Sequence, residues 1–213
     1  MIRLAPPVDV ERFRPAARPL PQQPSRPRAI AVGRLVHQKG IDTLLHAWRL
    51  LLDGWSTGPA PELLVLGDGP RRVRLERLAA TLGVAGQVRL AGAVPREQVL
   101  VELQRADVFA LPMRTRWAGL NPEGLGLAAI EAAACGLPVV VGASGGAPET
   151  VQPGRSGFVV EPGDVRALAA RLTELLGDPG RARAMGAAGR EHVSARFGSD
   201  QARATLRTAL RLS

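Results

Sequence analysis

From residue 28 almost to the C-terminus, short apolar runs alternate with stretches whose apolar residues recur every three or four positions. The runs at 29–32, 62–66, 88–90, 108–111, 139–141 and 157–160 are bounded by Gly, Pro or Asp, and each predicts a buried strand. Ile41, Leu44, Leu45, Trp48, Leu51 and Leu52 share one helical face. Further helices are predicted over 73–82, 97–106, 127–134, 165–176, 181–196 and 201–210, with Asp164 as the N-cap of the fourth of these. The strands are apolar throughout rather than alternating, so helices must cover both faces of the sheet. The expected fold class is α/β: a Rossmann-like, doubly wound parallel sheet of about six strands, with its ligand beyond the carboxyl ends of the strands.

The first 28 residues do not fit this pattern. Their seven prolines forbid a long helix. Three segments are expected: an extended linker over 1–27, a Rossmann-like domain over 28–196, and a C-terminal helix within 197–213.

Composition narrows the chemistry. Aromatics are 3% of the chain and Tyr is absent, which argues against base-stacking platforms for nucleic acid. The net charge of +9 comes from 28 basic residues, of which Lys39 is the only lysine. That charge permits phosphorylated ligands, anionic lipid or nucleic acid and selects none of them. Cys135 is alone, and His37, His46 and His192 lack metal-ligand spacing. No apolar run approaches the roughly 20 residues that span a bilayer, and no signal-peptide core is present. A reduced cytoplasmic setting is expected, with peripheral contact at the inner face of the membrane as an option.

Candidate chemistry gathers at the strand ends. After the first strand, Gly33, Arg34 and Lys39 form a turn in which two cations can converge on one phosphate while the glycine lets a ligand approach the backbone. Gly92, after the third strand, lies where a nucleobase can meet backbone groups. The PEGLG turn opens a helix: the backbone N–H groups of Leu125 and Gly126 suit a phosphate, and Glu123 can face sugar hydroxyls. Glu131 is set among Ala128, Ala129, Ile130, Ala132 and Ala133, where a carboxylate needs a partner. A ribose diol or an arginine would serve. The glycines of 142–149 offer backbone contacts, and the long loop 112–120 puts Arg114, Arg116 and Trp117 beside the site as a lip for an anionic acceptor or a partner domain.

Taken together, Gly33-Arg34 to Lys39-Gly40, Gly67-Asp68-Gly69-Pro70, the pair Glu123 and Glu131 separated by seven residues, and Gly145-Gly146-Ala147-Pro148-Glu149 resemble the C-terminal, donor-binding domain of glycosyltransferase family 4, retaining enzymes of the two-domain GT-B fold. The resemblance covers about residues 6 to 196, and the 112–126 and 142–150 stretches look closest to phosphatidylinositol mannosyltransferases. It implies a hexosyltransferase that passes a hexose such as mannose from a GDP- or UDP-sugar to a glycolipid or saccharide acceptor, with retention. It implies that Arg34 and Lys39 bind the diphosphate and, with Glu123, carry the catalytic roles. It also implies that Gly33, Gly92, Leu125, Gly126 and Glu131 line the donor site, and that no metal is needed because cations take that role. The chain departs from the family by beginning in what resembles the interdomain linker. A separately encoded N-terminal acceptor domain is an expected partner, nucleic acid is not, and weak donor binding with poor transfer is expected of the chain alone. The alternatives are a non-catalytic nucleotide-sugar-binding module, a truncated inactive enzyme, and a surface-charge-driven nucleic-acid or membrane binder.

Overall fold

A computed structural model of the chain describes residues 8–16, 26–115 and 126–198. Six strands form one parallel sheet: β1 (Arg28–Val32), β2 (Glu62–Leu66), β3 (Val88–Gly92), β4 (Val108–Leu111), β5 (Val139–Gly142) and β6 (Gly157–Val160). Their spatial order is β3-β2-β1-β4-β5-β6, so the sheet is doubly wound, as expected from the sequence. The helices are α1 (Ile41–Asp53), α2 (Arg72–Thr81), α3 (Arg96–Arg105), α4 (Leu127–Ala134), α5 (Val165–Gly177) and α6 (Pro179–Phe197). Right-handed crossovers from β1 outward to β3 put α1 and α2 on one face, and the reversal at β4 puts α3 and α4 on the other. Accordingly α1 packs against α2 and α5, while α4 packs against α6. The helix proposed over 201–210 lies outside the described residues.

The central strands are buried along almost their whole length: β4 and β5 show no exposed residue, and Ala29, Ile30 and Ala31 of β1 are fully enclosed. Helix α1 buries Ile41, Leu44, Leu45, Trp48 and Leu51 on the face its periodicity predicts. Asp164 caps α5 as expected, accepting from Ala167 N at 2.9 Å. Helix α6 begins two residues earlier than expected, because Asp178 accepts from Arg181 N at 2.9 Å and Pro179 occupies the first turn. Two 3-10 turns, His37–Lys39 and Ala147–Thr150, were not foreseen; three or four residues are too few to show a period.

Residues 8–16 pack on the domain. Val8 and Phe13 are buried, and Val8 N donates to Phe197 O at 2.9 Å. Gln104 reaches Arg14 O at 2.8 Å. The Arg190 guanidinium donates to Phe13 O at 3.1 Å, to Val10 O at 3.4 Å and to Ala134 O. One side chain of α6 thereby ties this segment to the C-terminal end of α4.

Candidate functional site

The loops after β1, β2 and β3 are stacked by backbone hydrogen bonds. Gly33 N donates to Leu66 O at 2.9 Å, Leu35 N to Asp68 O at 2.9 Å, and Gly67 N to Gly92 O at 2.7 Å. Gly67 has φ +131, and a Cβ there would lie 2.0 Å from Gly33 O. Only glycine lets the β2 loop press so closely on the tip of β1. The GDGP motif thereby holds the loops after β1, β2 and β3 together. Gly33 and Gly92, at the ends of β1 and β3, are thus linked through the loop of the intervening β2.

Lys39 closes the 3-10 turn, and its aliphatic stem runs over Gly33: a Cβ on Gly33 would meet Lys39 Cε at 3.4 Å. The lone lysine and the strand-tip glycine are therefore in contact, six residues apart in sequence. Arg34 is exposed between them on the same loop. Gly126 is the N-cap of α4, in the left-handed region at φ 72, and no side chain caps it. Glu123 and Leu125 lie outside the described residues, as do Arg116 and Trp117.

Glu131 projects from α4 with its side chain 12% exposed and meets an arginine: Arg96 Nη2 donates to Oε1 at 2.5 Å. Arg96 opens α3, four residues after Gly92, and lies 5.4 Å over the Phe13 ring. Burial raises the Glu131 carboxyl above its usual range, and the charges of Arg96 and then Arg12 partly offset that. The carboxylate is thus bound between α4, the start of α3 and the 8–16 segment. Sequence reasoning recognised that Glu131 needs a partner and offered an arginine as one option, without naming Arg96. The only signal for it was the basic residue just after the Gly92 loop.

Arg114 corrects an expectation. Instead of forming a lip toward an acceptor, it turns inward. Its Nη2 straddles both Asp42 oxygens at 2.7 Å, its Nε donates to His37 O at 2.9 Å, and its Nη1 donates to Thr43 Oγ1 at 3.1 Å. Burial works to raise the Asp42 carboxyl, but the hydrogen bond and charge of Arg114, followed by Arg71, outweigh it and hold Asp42 below its ordinary range.

Two other features are unsuited to the chemistry. The Cys135 thiol is pushed up to about 12, chiefly by burial and then by the Glu131 charge, with Arg190 opposing. At that value it is an inert structural cysteine. A 360 Å³ cavity lined by Gln152, Arg155, Glu191, His192, Ala195 and Arg196 contains none of the expected site residues. Its charges are already paired, Arg155 with Glu191 at 3.3 Å and Arg196 with Glu149 at 2.9 Å. Among the described residues no three His, Cys, Asp or Glu side chains are grouped to hold a metal ion. None of the described helices is long and apolar enough to cross a membrane.

A doubly wound parallel sheet with glycine-bearing loops, a lysine and a helix N-terminus at its carboxyl edge defines a Rossmann-like domain. The family described as "Glycosyl transferases group 1" matches residues 14–192, and the chain belongs to it. It is 45% identical over 193 residues to a GDP-mannose-dependent alpha-(1-6)-phosphatidylinositol monomannoside mannosyltransferase of Mycolicibacterium smegmatis, covering 88% of this chain and 50% of that protein. Among solved structures, sucrose-phosphate synthase from Thermosynechococcus elongatus superposes with a TM-score of 0.82 at 31% identity, over 98% of this chain and 51% of that one. The C-terminal domain of a glycosyl transferase group 1 family protein from Francisella tularensis superposes with a TM-score of 0.76 at 23% identity, over 90% of this chain and 99% of that one. The chain thus spans about half the length of the curated relatives it matches, and its fold is one half of the GT-B arrangement.

Proposed function

We propose that this chain is the donor-binding half of a retaining hexosyltransferase of glycosyltransferase family 4, with GDP-mannose as donor and a phosphatidylinositol mannoside as the lipid acceptor. The observation that carries the reading is the contact of Lys39 with Gly33 at the tip of β1, flanked by Gly67 and Gly92. An ammonium held over a bare strand end is a charge-assisted donor for a diphosphate, in the ground state and as it leaves. In this reading Arg34 joins Lys39 on the diphosphate, and the N–H groups of Leu125 and Gly126 meet the same phosphates from the start of α4. Glu123 takes the hexose hydroxyls, Glu131 the ribose diol, and the loop at Gly92 the base. The cations supply the charge stabilisation that a metal supplies elsewhere. The GDP-mannose choice is supported by the names of the mycobacterial relatives. The acceptor side of the cleft is assigned to the half of the relatives' length that lies outside the match. The working place of the protein is the cytoplasmic face of a membrane, touched peripherally.

Titration calorimetry of the chain with GDP-mannose and UDP-glucose, beside Lys39→Ala, tests the reading. GDP-mannose should bind in preference to UDP-glucose, and the variant should lose at least about tenfold in affinity, one charge-assisted contact's worth. Equal binding by both chains would remove Lys39 from the diphosphate site. Preference for UDP-glucose would overturn the donor.

A further inference from the structure

We propose that Arg114 is a positioning residue for the phosphate-binding turn: clamped by Asp42, its guanidinium holds the His37–Lys39 turn so that Lys39 is presented over Gly33. The inference rests on the reading of Lys39 as a diphosphate ligand.

The turn cannot hold itself. It has three residues, none of them buried, and no side chain caps its N-terminus. Its own closing bonds, Lys39 N to Val36 O and Gly40 N to His37 O, are both 3.2 Å long. Such short 3-10 pieces have poor hydrogen-bond geometry and depend on their surroundings. Here the surroundings are the first residues after β4. Arg114 N donates to Gln38 O at 2.8 Å and Arg114 Nε to His37 O at 2.9 Å, so two of the three turn carbonyls are taken by one residue. Gly40, at φ +67, leaves room for Pro112 O, which would lie 2.0 Å from a Cβ at that position.

The clamp is itself fixed. Asp42 stands in the first turn of α1, directly after the turn, and binds Arg114 through both oxygens, while Arg71, the N-cap of α2, adds a contact at 3.2 Å. Arg114 is 16% exposed and its charge is matched by Asp42, so it acts on the turn's shape rather than on the ligand. The planar fork matters: Nε, Nη1 and Nη2 each serve a different partner, and a lysine offers a single point.

The chain's single lysine makes the test specific. Reductive ¹³C-methylation labels Lys39 and the N-terminal amine, whose signals separate by pH titration. In the wild-type chain, the Lys39 methyl signal should be dispersed from the random-coil position and should shift on adding GDP. In Arg114→Met and Arg114→Lys, with far-UV circular dichroism retained, it should move to the random-coil position before any ligand is added. GDP affinity should fall about tenfold in both. An unaltered Lys39 signal in a folded Arg114→Met chain would overturn the inference while leaving the diphosphate reading intact. A Lys39 signal indifferent to GDP in the wild type would overturn the diphosphate reading, and the inference with it. Should Arg114→Met fail to fold, Asp42→Asn, which keeps the size and removes the clamp's charge, must show the same displacement of the signal.

Discussion

Arg190→Met isolates the tie between α6, α4 and the 8–16 segment. The methionine keeps the aliphatic stem and removes the guanidinium, so packing is largely conserved and three carbonyls lose their donor. Two of those contacts, to Ala134 O and to Phe13 O at 3.1 Å, are close, and the third, to Val10 O at 3.4 Å, is at the edge of hydrogen-bond range. Hydrogen bonds from a charged donor contribute about 1.5–3 kcal/mol each, so two of them, at the low end because the side chain is only partly buried, amount to about 3 kcal/mol. With an m-value of about 2 kcal/mol/M, that moves the urea midpoint down by about 1.5 M at unchanged slope. Arg190→Lys presents one point charge and should recover about a third of the loss. Urea denaturation followed by circular dichroism at neutral pH gives all three midpoints. A fall of less than about 1 kcal/mol in Arg190→Met would refute the argument, since water would then be serving those carbonyls as well as Arg190 does.

Two further predictions concern the site. Because burial raises the Glu131 carboxyl above its ordinary 4.5, the native state holds that proton more tightly than the unfolded chain, and this group's contribution to stability falls as pH rises from 4.5 through the native value. Arg96→Ala removes the largest opposing charge and widens that window; with Arg96 63% exposed, the loss at pH 7 is at most about 1 kcal/mol. The loss should vanish below pH 4 and in a Glu131→Gln background, as urea midpoints at both pH values will show; a gap independent of pH contradicts the assignment. Gly67→Ala drives a Cβ against Gly33 O at a φ of +131, so it should cost about 2 kcal/mol or more and lower Tm by about 4–8 °C. Gly58→Ala, with φ +68 and no atom within 4 Å of its Cβ, should cost only about 1 kcal/mol by strain alone, and equal losses in the two variants would mean that the close approach at Gly67 is absent.

What the sequence revealed and what it concealed divide along a physical line. The strands, α1 and the Asp164 cap were legible because each is written locally: in an apolar run, in a period of 3.6, or in one side chain that reaches its own helix. Glu131 was legible as a problem, a carboxylate in an alanine-rich helix, but its solution, Arg96, lies 35 residues away. Arg114 was misjudged for a related reason. In a chain whose basic residues are nearly all arginine, the residue type does not say which guanidiniums face water, and the Asp42 that binds it stands 72 residues earlier. Yet this second contact follows from a step the strand order already licensed. The order β3-β2-β1-β4-β5-β6 makes β1 and β4 neighbours at the point where the winding reverses. The loops leaving those two strands must then lie side by side at the carboxyl edge. A cation three residues past the end of β4 has the acidic first turn of α1 within reach before it has solvent. Pairing the loops across the switch point, rather than reading each beside its own helix, would have turned Arg114 inward from sequence alone.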